Sequence, residues 1–139
     1  MANYTSSSPE ETESIAADWI KQIDPGSNIL LEGDLGAGKT CFVRGAIQGL
    51  GGNPDLVSSP SFGLVNHYST GSASVFHWDL YRLTPETDWS VLDLEDHLHD
   101  SSALCFVEWP KRYTQAWPPP QYTVSLIDQS ERGREIQIR

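Results

Sequence analysis

The chain has 139 residues, and 19 Asp and Glu residues against nine Lys and Arg give it a formal net charge of −10. This length suits one domain with a real hydrophobic core, and so acidic a surface argues against unaided binding of tRNA or DNA. No basic segment followed by an apolar one opens the chain, and no apolar run approaches a membrane span, so we expect a cytoplasmic protein. Cys41 and Cys105 lie in helical or apolar runs and are expected to be buried, reduced thiols.

A helix start signal stands near the N-terminus. Ser8 is placed to cap the helix, Pro9 suits its first turn, and Glu11 completes a capping box. Apolar side chains then recur at the spacing of one helix face, at Ile15, Ala16, Trp19, Ile20 and Ile23. We therefore predict a packing helix, preceded by a flexible segment over residues 1–7.

A glycine-rich segment lies between a predicted strand over residues 28–31 and a predicted helix over residues 40–50. It matches the P-loop pattern of Gly, four residues, Gly-Lys-Ser/Thr, and the surrounding strand and helix are the context that this motif requires. Inward-turned backbone N–H groups and the start of a helix attract phosphates. Lys39 is expected to reach the β- and γ-phosphates, and the Thr40 hydroxyl to hold Mg²⁺. The predicted nucleotide loop comprises Gly33, Asp34, Leu35, Gly36, Ala37, Gly38, Lys39, Thr40 and Cys41.

A hydroxyl-rich loop over residues 57–62 follows the predicted P-loop helix. P-loop proteins often keep a segment that senses the γ-phosphate at this place in the chain, so the loop is a candidate switch. A simple connector remains the alternative.

The rest of the chain predicts a sheet with two hairpins. Residues 64–68 pair with 73–79, and 122–127 pair with 135–138. The continuous apolar run 103–107 belongs in the middle of the sheet. A capped helix is expected to begin at Thr84 and to turn Trp89, Leu92 and Leu98 inward. Together these elements predict one α/β P-loop NTPase-like domain over residues 1–139, with a mixed, mainly parallel sheet, antiparallel hairpins and flanking helices.

Two acidic residues end predicted strands, where a P-loop site needs a second acid beside Mg²⁺. Glu108 follows a purely apolar run and is the better metal ligand. Asp79 becomes a candidate for orienting the attacking water. Each could instead be a strand-end acid that faces solvent, and the alternation of the strand predicts His77 as a hydrogen-bonded core histidine.

Four segments together resemble the bacterial TsaE (YjeE) family of P-loop ATPases in tRNA threonylcarbamoyladenosine biosynthesis. They are residues 31–40 (LEGDLGAGKT), 59–62 (SPSF), 77–83 (HWDLYRL) and 107–110 (VEWP). The resemblance implies binding of ATP or ADP with Mg²⁺ by a small mixed sheet with helices. It also implies a partner, the heterodimer of the threonylcarbamoyltransferase and its paralogous subunit. ATP hydrolysis would support repeated turnover of this complex.

The resemblance also implies roles for single residues. Thr40 and Glu108 hold Mg²⁺, Asp79 acts in hydrolysis together with Lys39, and Trp109 lies near the nucleotide. Ser61 stands where the family commonly has threonine, and Cys41 replaces a common second threonine after the P-loop. Contacts to the base or ribose are implied for Thr12 and Arg134.

The sequence bears on three other possible functions. A small-molecule kinase shares the P-loop but usually carries an arginine-bearing lid, whereas the arginines here are few and scattered. A GTPase would need an Asn-Lys-x-Asp segment, which the sequence lacks. A nucleotide-binding regulatory subunit with negligible hydrolysis stays open, because a partner can complete the positioning of water.

Overall fold

The computed structural model describes residues 2–34, 36–60, 65–84, 86, 94–113 and 115–139. Three α-helices and seven strands follow one another along these residues. In chain order they are β1 (Ala2–Ser6), α1 (Pro9–Ile20), β2 (Asn28–Glu32), α2 (Lys39–Gly49), β3 (Val65–Ser69), β4 (Ser74–Asp79), α3 (Leu94–Leu98), β5 (Ala103–Glu108), β6 (Gln121–Asp128) and β7 (Arg134–Ile138).

The seven strands form one sheet in the order β1-β7-β6-β2-β5-β4-β3. The four central strands β6, β2, β5 and β4 run parallel, whereas the outer pairs are antiparallel. Every residue of β5 is buried, as expected for an apolar strand with neighbours on both sides. The structure thus confirms a mixed, mainly parallel sheet with hairpins β3–β4 and β6–β7.

The N-terminal segment differs from the prediction. We expected residues 1–7 to be flexible, but Ala2–Ser6 form the edge strand β1, which pairs antiparallel with β7. Tyr4 packs against the core and Ser6 is buried. The segment is short and largely polar, and its partner strand lies at the other end of the chain, so local patterns did not reveal the pairing.

Helix α1 begins as predicted, with one difference in its cap. The Ser8 side chain accepts a hydrogen bond from the Glu11 backbone N–H at 3.1 Å. The Glu11 carboxylate, however, accepts from the backbone N–H and hydroxyl of Ser7, one position earlier than a capping box requires. Of the predicted apolar face, Ala16, Trp19 and Ile20 are buried, and Ile15 and Ile23 pack beside them.

Both faces of the sheet are covered. Helices α1 and α2 pack on one face around Phe42, Ile47 and Phe106. Leu94 and Leu98 of α3 are buried on the other face, beside Trp78. Three residues of the helix predicted to begin at Thr84 lie outside the described residues: Pro85 of its first turn and the inward-facing Trp89 and Leu92. Within the described part of the chain, no helix is long and apolar enough to cross a membrane.

The packing of α1 on α2 depends on small residues. A Cβ atom on Gly45 would overlap the backbone of Glu13, and one on Gly49 would overlap the backbone of Ala17. The two helices therefore approach to backbone contact, which fixes the position of α2 and of the loop before it.

We expect Gly45→Ala to destabilise the fold by about 2 kcal/mol or more, because the methyl group meets immovable backbone. Helix propensity alone would predict a stabilisation of about 1 kcal/mol, so the sign of the change is informative. Chemical denaturation of both proteins measures it. Gly71→Ala is the matched control, since its added Cβ would come no closer than 3.8 Å to another atom. An unchanged or raised stability of Gly45→Ala would contradict the close helix approach.

Candidate active site

The glycine-rich loop joins the carboxyl end of β2 to the start of α2. Gly33, Gly36 and Gly38 have φ angles of 154°, 81° and 107°, which residues with a side chain rarely adopt. A Cβ atom on Gly33 would also lie 2.8 Å from the Leu126 carbonyl oxygen. Gly38 precedes α2 without a capping side chain, so the first backbone N–H groups of the helix are open to a ligand.

Lys39 is held inside this loop. Its side chain is only 5% exposed, and its ammonium group donates a hydrogen bond to the Gly33 carbonyl oxygen at 2.8 Å. The same nitrogen lies 3.8 Å from Glu108 Oε1 and 4.3 Å from the centre of the Trp109 ring. Three sequence-predicted residues therefore meet at one point: Lys39, Glu108 and Trp109.

Glu108 and Asp79 occupy equivalent positions on neighbouring strands. They are paired in the parallel register of β4 and β5, at the carboxyl ends of both strands. Both are buried, with exposures of 4% and 5%. Asp79 Oδ1 accepts a hydrogen bond from the Tyr81 backbone N–H at 2.9 Å. Neither acid is the solvent-facing strand end that the sequence had left open.

The sequence analysis did not place His77 in the candidate site, although the structure does. It is fully buried, and its Nε2 lies 2.5 Å from Glu108 Oε2. The prediction of a hydrogen-bonded core histidine is confirmed, but its partner is a site carboxylate. The sequence did contain a signal for this placement. His77 lies two residues before Asp79 on the same strand, and residues two apart on a strand face the same side of the sheet.

Trp109 forms a wall of the cleft beside Lys39. Its backbone is left-handed, with φ 57° and ψ 52°, which turns the chain directly after β5. Its ring lies 4.9 Å from that of Tyr81. The cleft has a volume of about 240 Å³ and is lined by Leu31, Glu32, Gly33, Asp34, Lys39, Trp109, Pro110 and Lys111.

We expect ATP to change the fluorescence of Trp109, because a phosphate that draws Lys39 away alters the charge above the indole ring. The chain has five tryptophans, so the titration is repeated on Trp109→Phe. An undiminished ATP-dependent change in that variant would remove Trp109 from the site.

Arg134 and Thr12 are the two residues for which contacts to the base or ribose were expected. Arg134 reaches the loop, since its Nη2 donates to the Gly36 carbonyl oxygen at 2.9 Å. It also lines a second cleft, of about 230 Å³, between the starts of α1 and β7. Thr12 is fully buried, and its hydroxyl is hydrogen-bonded to that of Ser6 at 2.7 Å. Its link to this cleft is through Ser6, which is one of the lining residues.

Cys41 and Thr40 lie in the first turn of α2, and both are half-buried. The Cys41 thiol donates to the Pro9 carbonyl oxygen at 3.2 Å, and partial burial raises its pKa. Cys105 is fully buried, as predicted, whereas Cys41 is less buried than we expected. Two predicted ligands, Leu35 and Ser61, lie outside the described residues.

The fold and site define a mixed α/β protein in which Lys39 of a P-loop-type segment lies near the buried carboxylate of Glu108, with Asp79 beside Glu108 in the strand register. A sequence model of the family described as "Threonylcarbamoyl adenosine biosynthesis protein TsaE" matches residues 6–136. The chain belongs to this family, which confirms the resemblance inferred from its motifs.

Individual relatives support the same family assignment. The chain is 35% identical over 128 residues to the tRNA threonylcarbamoyladenosine biosynthesis protein TsaE of Bacillus subtilis, covering 92% of this chain and 78% of that protein. The TsaE of Treponema pallidum is 34% identical over 116 residues, covering 84% of each chain. The crystal structure of Bacillus subtilis YdiB matches with a TM-score of 0.77 at 28% identity, over 99% of this chain and 83% of that chain.

Proposed function

We propose that this protein is a Mg²⁺-dependent ATP-binding and ATP-hydrolysing subunit that supports turnover of the transferase complex forming threonylcarbamoyladenosine in tRNA. The observation that carries the proposal is the meeting of Lys39 with Glu108, at 3.8 Å, at the mouth of the P-loop segment. Family membership supplies the pathway, and this geometry supports the nucleotide chemistry.

The loop and Lys39 bind the phosphates of ATP or ADP in this proposal. Positive φ angles at Gly36 and Gly38 turn the backbone of the loop, and α2 adds the favourable potential of a helix N-terminus. Lys39 exchanges the Gly33 carbonyl oxygen for a phosphate oxygen, which is a stronger acceptor for an ammonium group. Arg134 and the second cleft serve the ribose or base, with Thr12 holding Ser6 at its edge.

The residues present fit a magnesium ion held largely by its nucleotide. No cluster of three or more His, Cys, Asp or Glu able to hold a metal occurs among the residues that the structure describes. Mg²⁺ usually takes one or two protein oxygens together with phosphates and waters, and Thr40 with Glu108 would form such a pair. When bound, the ion neutralises charge on phosphate oxygens.

Asp79 is proposed to act on the attacking water. It lies beside Glu108 in register, and its Oδ1 is fixed by the Tyr81 N–H, which restrains the orientation of the carboxylate. A buried, oriented carboxylate can align a water molecule and accept its proton. Glu108 and Asp79 thus divide metal binding and water activation between them.

The partner proposed is the heterodimer of the threonylcarbamoyltransferase and its paralogous subunit. A net charge of −10 opposes contact with tRNA phosphates, so a partner is needed to carry the effect of ATP hydrolysis to the tRNA-modifying reaction. Binding to the heterodimer should depend on the nucleotide, because only a ligand with different affinities for two states can shift them.

Phosphate release from ATP, measured with and without the purified heterodimer, tests this proposal. We expect slow release by the protein alone, faster release with the heterodimer, and heterodimer binding that differs among ATP, ADP and no nucleotide. No release under either condition would favour the regulatory subunit without hydrolysis. Phosphate transfer to a small acceptor, in place of release to water, would favour the kinase.

A further inference from the structure

We propose that His77 is a positioning residue for Glu108. In this arrangement it holds one carboxylate oxygen so that the other faces Lys39 and the metal site. The inference rests on the proposed role of Glu108 as a magnesium ligand. It gives a function to a buried polar residue that the hydrolytic chemistry itself does not use.

The proposed role gives the hydrogen bond between His77 and Glu108 its direction. His77 is fully buried, and its Nδ1 has no hydrogen-bond partner among the described residues. Its Nε2 lies 2.5 Å from Glu108 Oε2. As a metal ligand Glu108 would be ionised, and an ionised carboxylate can only accept, so in this proposal Nε2 carries the proton and donates it. The imidazole therefore makes this one polar contact within the described structure, and it makes it to a residue of the site.

The sheet register explains why the two side chains meet. His77 pairs with Phe106 across β4 and β5, and Asp79 pairs with Glu108 one pleat further on. Alternation places all four side chains on the face of the sheet that α2 covers. A histidine at this position reaches forward along the strand to the carboxylate, and its ring is fixed because no part of it is exposed.

Among the residues that the structure describes, two side chains lie against the carboxylate of Glu108. Oε2 accepts from His77, and Oε1 lies 3.8 Å from the Lys39 ammonium group. If Lys39 turns toward a phosphate, His77 is the donor that remains. Without it, a buried glutamate side chain regains torsional freedom and loses its orientation before any metal binds. Groups that hydrogen-bond metal ligands in this way typically change metal affinity by about 10–100-fold when removed.

The test compares His77→Asn with His77→Gln. The Gln amide nitrogen can reach the position of the imidazole Nε2, whereas the shorter Asn amide nitrogen reaches only that of Nδ1. Calorimetric titration with ADP, in Mg²⁺ and in EDTA, gives the gain in affinity that Mg²⁺ brings. We expect His77→Asn to lose about tenfold or more of that gain, His77→Gln to keep most of it, and both to match the wild type in EDTA.

The inference would be overturned if His77→Asn kept the full gain in ADP affinity that Mg²⁺ brings. It would also be overturned if both variants lost ADP affinity equally, in EDTA as well as in Mg²⁺. Glu108→Ala separates this result from the parent proposal. If Glu108→Ala keeps the Mg²⁺ gain, the metal site itself is misassigned; if it loses the gain while His77→Asn does not, only the role of His77 fails. Should either His77 variant not fold, nitrogen NMR of the wild-type imidazole decides, since a proton found only on Nδ1 contradicts the geometry.

Discussion

Lys39→Ala is expected to lower the affinity for ATP by about 100-fold or more, equivalent to about 3 kcal/mol of binding free energy. The phosphates lose a charge-assisted partner that the structure places at the mouth of the loop, 5% exposed and directed at the Gly33 carbonyl oxygen. Calorimetric titration of ATP into both proteins measures the change. Unchanged ATP binding would remove the P-loop segment from the nucleotide site.

The control for this variant is Lys111→Ala. Lys111 lines the same cleft but is exposed, so its loss should change ATP affinity much less. The fold of Lys39→Ala should persist, because Glu108 keeps its hydrogen bond to His77. A denaturation curve of the free protein checks that the loss of affinity is not a loss of folded protein.

The second large effect separates the two acids. Asp79→Asn should leave Mg²⁺-dependent nucleotide binding nearly unchanged and lower the hydrolysis rate by about 10²–10⁴-fold, the usual contribution of a general base. The amide keeps an oxygen for the Tyr81 N–H, so the local turn is preserved. Glu108→Ala and Thr40→Ala should instead weaken binding in Mg²⁺ while leaving binding in EDTA largely intact.

Phosphate release and calorimetry on the same three variants provide the measurement. If Asp79→Asn lost Mg²⁺-dependent binding while Glu108→Ala kept it, the two assignments would have to be exchanged. The strand register makes such an exchange a real alternative, since the two carboxylates are direct neighbours across β4 and β5.

Much of this arrangement could be predicted because it is encoded locally. The P-loop pattern and the start of α1 each depend on residues close together in sequence. The apolar run before Glu108 also indicated a central strand, since a continuous apolar run is typical of a strand in a parallel sheet that is covered on both faces. The positions of Lys39 and Glu108 followed from these elements.

The rest depends on contacts between distant segments. The pairing of β1 with β7 joins the two ends of the chain. The hydrogen bond from His77 to Glu108 needs the register of β4 against β5, which alternation within one strand does not specify. The bond from Lys39 to the Gly33 carbonyl oxygen was also not foreseen, because we expected this side chain to point only at a ligand.

A crystal structure with Mg²⁺ and a non-hydrolysable ATP analogue would show whether the nucleotide binds at the P-loop segment. We expect the phosphates to lie within the loop of residues 33–40 and Lys39 Nζ to have moved from the Gly33 carbonyl oxygen to a phosphate oxygen. The metal should lie beside Thr40 and Glu108. The contradicting result is an analogue bound elsewhere, with Lys39 still donating to Gly33 and no metal near Glu108.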